Sequence, residues 1–184
     1  MKKNYSAFDR FLHWALAFTF LFIMLTVFLR LTWMEKNNVA EIIVNSLNAV
    51  NIDIAYDQAI KVAKNIRKPM FDWHITIGYF VTGIFILRML FHILNRGNYN
   101  PKTTKEVFQS WIYRIFYILL GITLITGLML EFGPDSIEDI AETIHKLTLY
   151  YAIAFMVLHF GGILISENTG NNRIVSKMIG GDKN

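Results

Sequence analysis

Four apolar stretches dominate this sequence, at residues 11–33, 73–94, 111–132 and 144–165. A helix needs about 20 apolar residues to cross the hydrocarbon core of a bilayer. A soluble domain of 184 residues rarely contains several such stretches, and here 54% of the residues are hydrophobic whereas only 17% are charged. The sequence therefore predicts an all-α membrane protein, in which a bundle of four transmembrane helices forms a single domain over residues 1–184.

Charged residues outside these stretches predict the orientation in the membrane. The N-terminal segment, the polar loop 97–109 and the C-terminal tail are basic, whereas the loop between the third and fourth stretches is almost entirely acidic. Because loops rich in Lys and Arg stay on the cytoplasmic side, we expect both termini to face the cytoplasm. This bias also accounts for the net charge of +4 without a nucleic-acid partner.

The first apolar stretch does not resemble a cleavable signal peptide. It is too long, it ends with Arg30 and Trp33, and it lacks a cleavage site of small residues. The connection 35–72, which we place on the periplasmic side, contains VAEIIVNSLNAV and YDQAIKVAKNI. Their apolar residues recur at helical spacing, so we expect short amphipathic helices at the membrane surface in this first periplasmic loop.

Histidines lie near the ends of three of the four apolar stretches. His145 and His159 are 14 residues apart, so their side chains leave one helical face about 21 Å apart along the axis. Spans one and four run in opposite directions, which places His13 at the depth of His159. His74 begins its span on the same side as His145. Ionisable side chains inside a membrane are costly and usually functional.

Imidazoles from neighbouring helices of a bundle are a common means of holding haem iron. The depths therefore predict two haem sites, an inner one from His13 with His159 and an outer one from His74 with His145. Because the chain has no cysteine, covalent c-type haem and iron–sulfur ligation are excluded, so any haem must be held non-covalently, and we expect b-type haems. The alternative is that these histidines are buried or interfacial residues hydrogen-bonded to the backbone.

Two arginines and a fifth histidine accompany the predicted sites. Arg88 at the inner level and Arg30 at the outer level are candidate partners for haem propionates, because a buried carboxylate needs a cation. Each could instead extend to the membrane interface. His92 shares the helical face of His74 but should lie nearer the water than His159, as an inner-edge residue near a propionate or a quinone.

Several motifs resemble the bacterial dihaem transmembrane cytochrome b family of the cytochrome b561 type, which includes the b-type subunit of membrane nickel–iron hydrogenases. These are RFLHW at the start of the first span, the histidines of spans two and four, and the tail ENTGNNRIVSKMIGGDKN. The connection 35–72 has no counterpart that we can place, and Asp182 replaces a residue that is commonly basic. The resemblance implies an inner-membrane protein with two haems b that exchanges electrons with a quinone pool. It also implies a periplasmic redox partner: a hydrogenase, a c-type cytochrome or a molybdenum enzyme.

Electron transfer is the function these features favour, since two histidines saturate the iron and leave no position for a substrate. One rival is a self-contained enzyme, because one branch of the family oxidises superoxide with quinone as acceptor. The other rival is a haem-free membrane anchor or transporter. Transporter spans are often broken at mid-membrane and repeated internally, whereas the four stretches here contain no proline and show no inverted repeat.

Overall fold

The computed structural model describes residues 6–94, 103–168 and 174–180. Six α-helices occur in this part of the chain: α1 Ala7–Leu31, α2 Lys36–Asn48, α3 Tyr56–Leu94, α4 Thr104–Phe132, α5 Glu138–Asn168 and α6 Ile174–Gly180. A 3₁₀ turn at Asp135–Ile137 separates α4 from α5, and none of the described residues forms a strand. The helices α1, α3, α4 and α5 are long and apolar enough to cross a membrane. This confirms the prediction of an all-α protein with four transmembrane helices.

Large apolar side chains are exposed along all four of these helices. Examples are Phe18 in α1, Phe80 in α3, Ile118 in α4 and Leu164 in α5. A water-soluble protein rarely exposes so much contiguous apolar surface. In a membrane these side chains face the acyl chains of the lipids instead of water, and this explains why they point outward.

The helices pack as two compact units. Of the described residues, 6–15, 84–94, 103–168 and 174–180 form one unit, which includes α4, α5 and α6 with the start of α1 and the end of α3. The other unit consists of residues 16–83, and it includes α2 with the rest of α1 and α3.

In the first unit, α4 and α5 pack against each other in antiparallel directions. The ring of Phe116 stacks on that of Phe155, with centroids 3.7 Å apart. Two turns further along α4, the hydroxyl of Thr123 forms a 2.8 Å hydrogen bond with that of Thr148, which lies earlier in α5. The reversed order of these contacts fixes the register of the two helices, and this register determines which residues surround the histidines of α5.

In the second unit, α2 packs against the N-terminal part of α3. Ala40, Ala59 and Ala63 are completely buried at this contact. Small side chains allow two helices to approach closely. The carboxylate of Glu35 caps α2 by accepting hydrogen bonds from the second and third backbone N–H groups after it.

The second predicted amphipathic helix is not a separate element, because its residues form the beginning of α3. This helix runs for 39 residues and passes through Pro69 without interruption. It is about 58 Å long, whereas the hydrocarbon core is about 30 Å thick, so its N-terminal part extends beyond the bilayer. Proline removes one helical hydrogen bond, and burial of Ala59 and Ala63 against α2 stabilises the helix on the N-terminal side of that gap.

The structure also differs from the sequence-based prediction at the start of α4. The sequence predicted a loop over 97–109, but α4 already begins at Thr104. Thr103 and Glu106 form a capping box, in which each side chain accepts a hydrogen bond from the other residue's backbone N–H. Parts of the basic segments that predict the orientation, at 1–5, 95–102, 169–173 and 181–184, lie outside the described residues. The orientation therefore stays a prediction.

Candidate functional site

His13 of α1 and His159 of α5 lie next to each other in the first unit. Their half-buried imidazole rings have centroids 6.2 Å apart and are inclined at 50°. A bond from an imidazole nitrogen to a metal ion is about 2 Å long, so two imidazoles on opposite sides of one ion have centroids about 6 Å apart. The two rings thus have the separation that axial ligands of a single iron require.

The plane of the His159 ring is fixed by aromatic neighbours. Phe155, one turn earlier on α5, lies nearly parallel to it, with centroids 5.4 Å apart and an angle of 14°. Tyr113 of α4 places its hydroxyl 3.3 Å from Nδ1 of His159. A hydrogen bond at one ring nitrogen directs the other nitrogen toward a metal and tunes its basicity. With Nδ1 engaged by Tyr113, Nε2 of His159 is the ring nitrogen that is left available to a metal.

His145, in the first turns of α5, hydrogen-bonds to α4 in the same unit. Its Nδ1 lies 3.1 Å from the backbone carbonyl of Thr123 and 3.3 Å from the hydroxyl of Thr126. A carbonyl oxygen only accepts hydrogen bonds, so Nδ1 of His145 must carry the proton and donate it. The lone pair of the neutral imidazole is then on Nε2, the nitrogen that a metal would bind.

His74 of α3, in the second unit, has the same tautomer for a similar reason. Its Nδ1 lies 2.8 Å from the hydroxyl of Thr26, which is buried in α1. That hydroxyl donates its hydrogen to the carbonyl of Ile23 at 2.6 Å, so its oxygen accepts the hydrogen bond from His74. Again the lone pair is on Nε2. His74 and His145 thus share one chemical arrangement, although they belong to different units.

The two candidate arginines have different surroundings. The guanidinium carbon of Arg88 lies 5.8 Å from the centroid of Tyr117, within the first unit. Its Nη1 is buried, and no atom of the described residues hydrogen-bonds to it. Buried polar atoms of this kind normally have a partner, and for a cation the favourable partner is an anion. Arg30 lies in the second unit, over the ring of Phe71 at 5.1 Å.

The RFLHW motif and the C-terminal tail, which both carry the family resemblance, contact each other. The indole N–H of Trp14, in RFLHW, donates a 3.1 Å hydrogen bond to the carbonyl of Met178 in α6 of the tail. Trp14 also lies edge-on to His13, with ring centroids 5.6 Å apart. The backbone N–H of Val175 in α6 donates to the carboxylate of Glu167 at the end of α5. The tail is therefore attached directly beside His13.

Sequence reasoning missed the residues that hold the imidazoles. These are Tyr113, Thr123, Thr126 and Thr26. Hydroxyl side chains inside otherwise apolar spans are a signal for such roles, but the histidine that each one serves depends on the register between helices. His92 is exposed in the last turn of α3. No group of three or more His, Asp or Glu side chains gathers as if around a bare metal ion in the ranges 6–94, 103–168 and 174–180.

A model of the family described as Prokaryotic cytochrome b561 matches residues 4–181. The chain belongs to the prokaryotic cytochrome b561 family. It is therefore a multi-pass protein of the bacterial inner membrane that binds b-type haem and takes part in electron transport. No curated protein and no solved structure matches the chain. The paired imidazoles and the unpartnered nitrogen of Arg88 fit the iron and the carboxylates of such a haem.

Proposed function

We propose that this cytochrome carries two haems b and moves electrons between the quinone pool and a periplasmic redox partner. The observation that supports the inner haem most directly is the 6.2 Å separation of the His13 and His159 rings. His13 and His159 would hold the inner iron, His159 through Nε2 because its Nδ1 is engaged by Tyr113. An iron held by two histidines would have no position left for a substrate, which favours electron transfer over binding of a substrate to the metal.

The outer haem is proposed to use His74 and His145, which the sequence places at one depth. Their shared tautomer supports this assignment, because each has its Nδ1 proton engaged and its lone pair on Nε2. Gly78 follows His74 by one helical turn, and a Cβ atom placed on it would meet no other atom within 4 Å. A residue without a side chain at this point allows a flat macrocycle to lie against α3.

Arg88 is proposed to neutralise a propionate of the inner haem. Its buried Nη1 without a hydrogen-bond partner supports this role, since a buried cation gains most from a carboxylate placed against it. When bound, each haem supplies a one-electron carrier. His145 and His159 are about 20 Å apart along α5, so they would hold the two carriers at different depths of the bilayer. The protein would also present one carrier toward each face of the membrane.

Haem content of single-histidine variants tests this proposal. We expect about two haems b per chain by pyridine haemochrome, and two components in a redox titration of the visible spectrum. His13→Ala and His159→Ala should remove the same component, whereas His74→Ala and His145→Ala should both remove the other one. His92→Ala is the matched control and should retain both, because its side chain is exposed at the end of α3. Loss of different components in His13→Ala and His159→Ala would contradict the inner pair.

The orientation can be tested with introduced cysteines, because the chain has none of its own. Ser6 and Ser136 are both exposed, one before α1 and the other between α4 and α5. If both termini face the cytoplasm, Ser136→Cys reacts with a membrane-impermeant maleimide in intact spheroplasts. Ser6→Cys then reacts only after the membrane is permeabilised. The opposite pattern would reverse the proposed orientation.

Electron exchange with quinone has its own test. Purified protein in liposomes is mixed with duroquinol, and reduction of the two haem components is followed by stopped-flow absorbance. We expect both components to be reduced in the parent. In His13→Ala, only the remaining component should respond. A parent protein in which neither component is reduced would contradict the quinone assignment and leave the haem ligands as proposed.

A further inference from the structure

Arg30 and Arg67 share a single aromatic ring in the second unit. The guanidinium carbon of Arg30, at the end of α1, lies 5.1 Å from the centroid of Phe71. The guanidinium carbon of Arg67, one turn before Phe71 on α3, lies 5.4 Å from the same centroid. Phe71 thus makes cation–π contacts with two different cations.

Two cations that contact the same ring repel each other, so an anion shared by the two arginines would stabilise the arrangement. The closest carboxylate in sequence is that of Asp72, but both of its oxygens bind Nζ of Lys68 at 2.8 Å. Within the part of the chain that the structure describes, neither Arg30 nor Arg67 forms an ion pair with a carboxylate. Their positive charge is therefore not neutralised by these residues.

The position of the two arginines relates them to the proposed outer haem. Arg30 follows Thr26 by four residues, and Phe71 precedes His74 by three. Since Thr26 and His74 are hydrogen-bonded, Arg30 lies about one helical turn beyond the level of His74 and the backbone of Arg67 about two turns. This is also the end of α1 at which Trp33 is exposed, as is typical of the membrane–water interface.

We propose that Arg30 and Arg67 together form a binding site for one oxyanion group, a carboxylate or a phosphate, at the outer end of this unit. The planar guanidinium presents paired N–H donors that match such groups. This deepens the proposed function, because one source of the oxyanion is a propionate of the haem assigned to His74. The other source is the phosphate of an anionic phospholipid at the interface.

The test compares Arg30→Gln and Arg67→Gln in the purified holoprotein, with Lys64→Gln as a control. Lys64 is an exposed cation on the same part of α3. Redox titration reports on the propionate. If the propionate is the ligand, both arginine variants lower the midpoint potential of the component that His74→Ala removes. The reason is that the propionate charge, no longer neutralised by both arginines, stabilises ferric iron. The other component should not move.

Native mass spectrometry of protein purified with phosphatidylglycerol reports on the phospholipid. If phosphate is the ligand, both arginine variants lose phosphatidylglycerol that the parent and Lys64→Gln retain. Arg67→Lys keeps the charge but not the paired donors, so in either case it should recover only part of the effect. The proposal is overturned if neither measurement separates the arginine variants from Lys64→Gln, or if only one arginine matters. Retention of both haems in such variants would leave the proposed function standing.

Discussion

Gly127 of α4 lies directly against the imidazole of His145 in α5. A Cβ atom on Gly127 would be 3.1 Å from Cε1 and 3.5 Å from Nδ1 of this ring. The absence of a side chain at this position therefore allows His145 to reach the carbonyl of Thr123. An ordinary residue at 127 would press on the imidazole and change the direction of its Nε2.

The first prediction is that Gly127→Ala disturbs the haem assigned to His145. Because the imidazole must shift by a few tenths of an ångström, we expect a lower occupancy or an altered EPR signal for the component that His145→Ala removes. Gly121→Ala is the matched control on the same helix. Its Cβ would meet Phe85 at an ordinary 3.5 Å, so both haem signals should stay as in the parent. Equal spectra for the two alanine variants would show that Gly127 has no role in placing His145.

The second prediction concerns Tyr113 and the potential of the inner haem. An acceptor for the Nδ1 proton makes a coordinating imidazole more basic, which stabilises ferric iron. Tyr113→Phe removes the hydroxyl near His159, so the midpoint potential of that component should rise. A net hydrogen bond of about 1 kcal/mol corresponds to about 40 mV for one electron. Tyr150→Phe, at an exposed position of α5, should leave the potential unchanged.

A structural role for Tyr113 would give a different result. In that case, Tyr113→Phe would lower haem occupancy or thermal stability at a constant potential. A fall in the midpoint potential would indicate that the hydroxyl donates to Nδ1 rather than accepts from it. That outcome would assign the lone pair of His159 to Nδ1 and contradict coordination through Nε2.

The four spans could be predicted from the sequence because their hydrophobicity is a local property of each stretch. Helix geometry also predicts that His13 and His159 lie at one depth, because depth follows from residue count and helix direction; the 6.2 Å proximity of their rings comes from the structure. The partners of the imidazoles could not be predicted. The contacts of His145 with the carbonyl of Thr123 and the hydroxyl of Thr126 depend on the rotation of α4 about its own axis, and one sequence does not define that rotation.

Helix boundaries outside the membrane were predicted less well than the spans. Pro69 suggests a break, but packing of α2 on the start of α3 favours one continuous helix. The start of α4 was placed too late, although Thr103 and Glu106 have the spacing of a capping box. The capping-box signal was therefore present in the sequence, but it was overlooked because the surrounding residues have the polar composition of a loop.

The third prediction concerns the attachment of the C-terminal helix. Trp14→Phe keeps an aromatic ring beside His13 but removes the N–H that binds the carbonyl of Met178. Loss of a hydrogen bond worth about 1 kcal/mol should speed amide hydrogen exchange in α6 about fivefold. Trp33→Phe, at a highly exposed position in the other unit, is the control and should leave this exchange unchanged. Exchange in α6 at the parental rate in Trp14→Phe would mean that other contacts attach the tail.

The fourth prediction concerns the helical pair formed by α2 and the start of α3. Ala63 is completely buried at this contact, so Ala63→Leu adds three carbon atoms where there is no space. Overpacking of this kind costs about 1–3 kcal/mol, and we expect α2 to detach and become sensitive to protease added on the outer side. Val62→Leu adds one methylene at a neighbouring, exposed position and should leave α2 resistant. Because this pair extends beyond the bilayer, both variants should keep the haem spectrum of the parent. Loss of haem from an Ala63→Leu protein in which α2 has detached would instead show that the pair formed by α2 and the start of α3 helps to hold the cofactor.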